Sequence, residues 1–338
     1  MGKRLAIAVK YGAALCLLAC ATGCAFGQEE GELTAKRRLF PAIGPGLRTI
    51  KRGKDGRFYV LASPAPGLAV FDAAGKQVLS VGAPPPEAGG KAARPPITFG
   101  EDCDVDAEGR IYIADRGANS ILIFSKDGVL MRSLPVPSPV SIAAMPEGEV
   151  GVATLREPHL VIVFDKNGRD VREFGDAEPI AQREELNRFL NIGKLAVDDQ
   201  GHLYYAFEYF PEPTVRQYDR NGYSGLEIQY TAIEALTTAR AVRREIDRQE
   251  RRGDAPTFKR VLTAVGVDRA SGEVWVALHN TLLHFDKEGN RRASYQLYTP
   301  QGARLDADTI LVEKDRMIIG SDPLGIYEFE RLQKNLPE

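Results

Sequence analysis

Most of the chain is written in short apolar runs separated by polar turns. The clearest unit is Asp106–Leu134, DAEGRIYIADRGANSILIFSKDGVLMRSL, which reads as turn, apolar run, polar loop, apolar run, turn, apolar run. Alternating β-branched and aromatic residues predict strands with one buried face. The glycines that end the turns supply the left-handed position of a tight hairpin. Weaker copies start at Gly56, Gly148, Gly201, Gly272 and Asp315, making six with the copy at Gly109. Five of them then carry an aromatic residue running into a Gly-ended turn: Phe71–Gly75, Phe124–Gly128, Phe164–Gly168, Tyr218–Gly222 and Phe285–Gly289. The sixth ends on Phe329-Glu330 without a turn.

A single four-stranded meander cannot bury both faces, whereas six packed radially cover one another. The fold class expected is therefore all-β, a six-bladed β-propeller over 33–333, with a helical insertion between blades four and five. The steps between turn positions are 53, 39, 53, 71 and 43 residues, and a four-stranded blade takes about 40. The long steps hold insertions: a Pro/Gly loop at 83–96, a segment at 176–193 with a short helical pattern (AQREELNRFL), and a charged helix at 231–260. Gly253 and Pro256 stop that helix, and Ile233, Leu236, Val242 and Ile246 are its expected inner face. The last copy shows three strands, and Thr34–Phe40 is expected to supply the fourth, pairing the two ends of the chain and removing an exposed edge.

These phrases resemble the NHL-repeat family of six-bladed propellers, of the exported or lipoprotein type found in bacteria. The best stretch is Asp104–Phe124, DVDAEGRIYIADRGANSILIF, with the pattern Gly, apolar run, Ala-Asp, polar loop, Asn, apolar run. The copies at Gly148, Gly201 and Gly272 lack the Asp. The resemblance implies a fold but no single activity, because propellers host enzymes, sensors and scaffolds alike.

The first residues read differently. Lys3, Arg4 and Lys10 precede an apolar stretch, Tyr11–Thr22, too short for a membrane span. Residues 1–27 are read as a signal peptide. Ala21-Thr22-Gly23-Cys24 resembles a bacterial lipobox, with Cys24 the lipidation candidate and Leu17–Cys20 a second one; the plainer reading is a cut near Gly27. The expected location is exported, as a periplasmic or outer-membrane lipoprotein, with secretion as the alternative. Membrane contact would come only through a lipid on Cys24. The charge balance of 44 Lys+Arg against 46 Asp+Glu gives no basic field for nucleic acid. Cys103 stands alone in the body and is expected to be a buried strand residue.

In the family, the loops between second and third strands share a face with the links between blades. All three insertions are such links, so elaboration gathers on one face, where function concentrates. The ligand-binding candidates there are Asp115, Arg116, Asn119, Arg156, His159, Glu208, Tyr209, His279, Asn280 and Asp322. They suit a polar small molecule, a peptide or an envelope protein. No cofactor is expected. A divalent cation on Glu101, Asp102 and Asp104 is the weaker alternative. No HExxH or paired Cys/His spacing points to zinc, and His159 with His279 is the one histidine pair in equivalent loops. Non-catalytic binding at the cell envelope is the leading functional expectation. The runner-up is a metal-dependent hydrolase or lyase in the channel, similar to gluconolactonases or amidating lyases.

Overall fold

The computed structural model describes residues 29–63, 67–82, 97–155 and 158–331. The signal segment with Cys24, the 83–96 insertion and Arg156 lie outside them. The chain begins with β1 (Glu29–Thr34) and β2 (Arg37–Leu39). The first sheet is β3 (Leu47–Arg52), β4 (Phe58–Ala62), β5 (Gly67–Phe71) and β6 (Gln77–Val81). The second is β7 (Gly100–Val105), β8 (Ile111–Asp115), β9 (Ser120–Phe124) and β10 (Leu130–Pro135). The third is β11 (Pro139–Ala144), β12 (Val150–Thr154), β13 (His159–Phe164) and β14 (Asp170–Asp176). Helix α1 (Glu184–Leu190) precedes β15 (Gly193–Val197), β16 (Leu203–Phe207), β17 (Thr214–Tyr218) and β18 (Ser224–Gln229). Helix α2 (Ile233–Arg252) separates β18 from β19 (Ala264–Val267), which continues into β20 (Val274–Leu278), β21 (Thr281–Phe285) and β22 (Arg291–Tyr298). The last strands are β23 (Thr309–Val312), β24 (Arg316–Ser321) and β25 (Gly325–Glu330).

These strands form six antiparallel meanders, each with its first strand innermost: a six-bladed propeller. Inner strands of neighbouring sheets touch all the way round, including β23 against β3. The core is divided into wedges between blades. One joins Leu61, Val70 and Val81 to Val105, Ile113 and Phe124; the wedge that closes the ring joins Ile50, Phe58 and Val60 to Ile318 and Ile326.

The recurring turn has a physical cause. Asp106 Oδ1 accepts from the N–H groups of Glu108 and Arg110 at 3.0 and 2.8 Å, and Oδ2 accepts from the Tyr112 hydroxyl at 2.8 Å. Gly109 completes the turn at φ 82°, a conformation glycine adopts without strain. Asp198 repeats the device with Gln200, His202 and Tyr204. The carboxylate thus ties a solvent-facing turn to a tyrosine in the wedge.

β2 does supply the fourth strand of the last sheet, with Arg37 opposite Glu328. Unanticipated is β1, which adds a fifth strand to the sheet of β19–β22 by pairing in parallel with β22, from Glu29 opposite Ala293 to Thr34 opposite Tyr298. α2 ends on Gly253 at φ 73°, as its sequence stop predicts. Of its expected inner face, Val242 and Ile246 do pack inward, the Ile233 side chain lies outside the described ones, and Leu236 is misplaced. Ala235, Ala239, Ile246 and Gln249 are buried, whereas Leu236 is 39% exposed. A 3.6-residue turn puts 235, 239, 242, 246 and 249 on one stripe, and Ile246 packs there against Leu186 and Leu190 of α1. Among the described residues no helix is long and apolar enough to cross a membrane.

Candidate functional site

The loops between second and third strands bond to the residues that lead into the inner strands. Ser63 N–H donates to Gly46, Arg116 to Phe99, Leu155 to Ser138 and Glu208 to Ile192. Both sets of loops therefore share one face, together with α1 and α2.

Two groups of candidate residues separate on this face. The first serves the loops themselves. Asp115 is fully buried, and its carboxylate accepts from the N–H groups of Thr98, Phe99 and Ala118 at 2.6, 2.8 and 3.1 Å. Asp322 does the same for Gly46 N–H at 3.0 Å. Asn119 Oδ1 accepts from Ser138 N–H at 3.0 Å. Asn280 is buried between Gln296, at 2.8 Å, and Arg304, at 2.9 Å.

The second group surrounds the mouth of the axial channel. Glu101, at the top of β7, pairs with Arg116 at 2.8 Å and approaches Arg48 of β3 at 3.8 Å. Glu208 is buried beside Arg260, 3.5 Å away, which reaches Asp308 at 2.5 Å. Burial raises the Glu208 carboxyl above the usual range, Lys194 and Arg260 oppose this, and Glu101 adds to it. Burial and the nearby Glu208 push the Tyr209 hydroxyl up to about 12, and its ring lies 4.7 Å from that of Phe189. Arg48, Lys194, Arg260 and Asp308 carry no motif; only their positions at the leads into inner strands would have marked them.

The acidic run of β7 is not arranged around an ion. Asp102 accepts from Cys103 N–H at 2.9 Å, Ser141 Oγ at 2.5 Å and Ile142 N–H at 3.3 Å. Asp104 accepts from Val105 N–H and Ala144 N–H, both at 2.8 Å. These carboxylates lace the inner strands of two blades together. Among the described residues no group of three or more His, Cys, Asp or Glu side chains is placed to hold a metal ion. Cys103 is buried and unpaired, its thiol pushed well up by burial.

His159 and His279 have separate surroundings. His159 stands on β13 with Nδ1 3.6 Å from Asp176. His279 lines a cleft of about 320 Å³ between α2, the loop before β17 and the sheet formed by β1 with β19–β22, where Glu30 of β1 adds a carboxylate. Pro213, Tyr230, Ala235, Val261 and Leu278 form its apolar wall, and Thr238, Thr281, Ser294 and Gln296 contribute polar groups. The His279 backbone is left-handed at φ 57°, uncommon for a non-glycine residue and found disproportionately at functional sites. Ala307 N–H holds its carbonyl at 2.9 Å and Thr263 Oγ1 accepts its N–H at 3.2 Å. Its imidazole has no hydrogen-bond or ionic partner among the described residues.

No protein-family profile and no curated protein is similar to the chain. Solved structures are similar in fold. A streptogramin B lyase matches at a TM-score of 0.54 and 14% identity, over 88% of each chain. Virginiamycin B lyase from Staphylococcus aureus matches at 0.52 and 12%, again over 88% of both chains. A catalytically inactive form of that enzyme with quinupristin matches at 0.53 and 12% over the same shares. At these identities the likeness establishes the six-bladed propeller and nothing of the chemistry.

Proposed function

We propose that this protein is an NHL-type propeller acting as a binding module at the bacterial cell envelope, exported and tethered through Cys24. In this reading α2, inserted between the fourth and fifth blades, walls a cleft for a polar small molecule or peptide segment. The observation that carries it is His279: an imidazole without a partner, on a left-handed backbone, facing a half-apolar cleft. A cleft of about 300–1,000 Å³ with an apolar body and a few aimed polar groups is the usual form of a small-ligand site. The alternative, a metal-dependent hydrolase or lyase in the channel, needs a converging ligand set. Glu101 is instead spent on Arg116, and Asp102 and Asp104 on backbone N–H groups.

The test is NMR of the histidine ring signals during titration with N-acetyl-tyrosinamide and N-acetyl-leucinamide, with the His279 signal assigned by its loss in His279→Gln. A saturable shift of His279 is expected. Thr238→Trp, on the exposed face of α2 at the cleft, is expected to abolish it without unfolding the protein. No shift with either probe overturns the cleft reading. A rise in the unfolding midpoint with Ca²⁺ or Zn²⁺, reversed by EDTA, would favour the enzyme: saturation at 100 times Kd stabilises by about 2.7 kcal/mol.

A further inference from the structure

The largest cavity among the described pockets, about 900 Å³, opens on the opposite face. There the tight turns between first and second strands surround the end of the channel. Inner-strand residues of all six blades line it, and Val105, Ala144, Met145, Val197, Val267 and Ile310 give it apolar walls. It narrows toward a second cavity of about 30 Å³, the size of one water, between Lys51, Lys194 and Asp102.

Lys51 lines both cavities. It makes no hydrogen bond or ion pair among the described residues. The carboxylates nearest to it, Asp102 and Asp104, are occupied by the N–H groups and hydroxyl described above; they favour the ammonium form from a distance without capping it, and this outweighs burial. Lys54 is also without a partner among the described residues but lies exposed at the outer rim, and several of the other charges are paired. Arg52 holds Glu313 at 2.9 Å and Arg269 holds Asp199 at 3.0 Å, while Asp268 is taken by Arg331. The Lys51 ammonium, with free donors, thus stands where a wide, apolar-walled funnel becomes narrow, while Lys194 on the far side of the constriction points its ammonium at the carbonyls of Glu101 and Val140 at 3.4 Å.

We infer that this funnel is a second binding site, for a small organic acid whose carboxylate reaches Lys51 and whose apolar body lies against the funnel wall. One ammonium matches one negative charge, and an ionised acceptor makes a hydrogen bond roughly twice as strong as a neutral one. Phosphate, compact and more highly charged, would leave the apolar walls unused. The site is independent of the cleft beside α2.

The experiment is a titration of protein carrying 13C at lysine Cε with sodium benzoate, with benzamide and sodium phosphate in parallel. The Lys51 signal is assigned by its absence in Lys51→Arg. Benzoate is expected to move the Lys51 signal saturably, and neutral benzamide is not. Lys51→Gln is expected to weaken benzoate binding by about tenfold or more, Lys51→Arg much less, and Thr238→Trp not at all. Equal responses to benzoate and benzamide, no saturation up to the solubility limit, or unchanged affinity in Lys51→Gln would each overturn the proposal. A phosphate response with no benzoate response would do so too. The wild-type titration decides the matter if Lys51→Gln does not fold.

Discussion

Asp115 shows what a polar residue in a repeat motif does here. In the sequence, the Ala-Asp of the second blade stands at a loop entrance and looks available to a ligand. In the structure its carboxylate collects three backbone N–H groups and is fully buried. Removing an acceptor leaves buried donors unmet, and hydrogen bonds to a charged group contribute about 1.5–3 kcal/mol each. Asp115→Ala is therefore expected to cost about 2–4 kcal/mol in urea unfolding; a change within about 0.5 kcal/mol would refute this role. Glu208 is a carboxyl that folding makes easier to protonate. Because its folded value lies above the unfolded one, the folded state binds the proton more tightly, and stability falls as pH rises through the window above the ordinary value of 4.5. Denaturant midpoints are expected to decline across that window in the wild type and to flatten in Glu208→Gln; identical pH profiles would exclude Glu208 as the source. Neither assignment was legible from residue type alone, since both carboxylates sit in similar polar loops. Both are buried, and what separates them is the three backbone N–H groups that Asp115 collects and Glu208 does not.

Among the elements, the strand pattern was the most readable part, because alternation and turn glycines are local. The closing strand β2 was also visible, as an extended segment next to a sheet short of one strand. β1 was not. EEGELT carries little apolar signal, and its pairing with β22 is a parallel contact across most of the chain. Its Glu30 and Glu32 side chains are exposed, while Leu33 is buried at 7% in the wedge with Leu297, Leu305 and Phe329. Leu33→Ala is expected to cost about 2–4 kcal/mol, read as a lower urea midpoint at unchanged slope. A wild-type midpoint would mean that β1 does not anchor the ring. On α2, Val242 and Ile246 were placed correctly and Leu236 was misread for a related reason. The helix contains few large apolar residues, so Leu236 was assigned inward, but small Ala235 and Ala239 permit the close approach and Leu236 is left outside.

For the whole molecule, β1 sets a direction. It runs parallel to β22, from the face of the tight turns toward the face of the insertions. A tether from Cys24 to Glu29 spans at most roughly 18 Å. A lipid on Cys24 would therefore hold the tight-turn face and its funnel toward the membrane, and turn α2 and the cleft outward. Cys103 is buried, so dyes on single cysteines placed at Lys126, in a tight turn, and at Arg244, on α2, label cleanly. In vesicles carrying a headgroup acceptor, energy transfer is expected to be stronger from position 126. Equal or reversed transfer refutes the orientation, whereas a mass without lipid refutes the tether itself.

The repeat, the number of blades and the stop of α2 could be read along the chain, and the shared face of α1 and α2 follows from their place in chain order. Each of these follows from local periodicity, turn stereochemistry or chain order. Which polar groups are spent and which stay free emerges from packing between blades. Asp102, Asp104 and Asp115 are consumed by backbone N–H groups brought from neighbouring blades or links, while His279 and Lys51 are left without partners beside cavities. The physical reason is that satisfaction of a polar group depends on what packs against it. In a closed ring, those neighbours come from segments far away in the sequence.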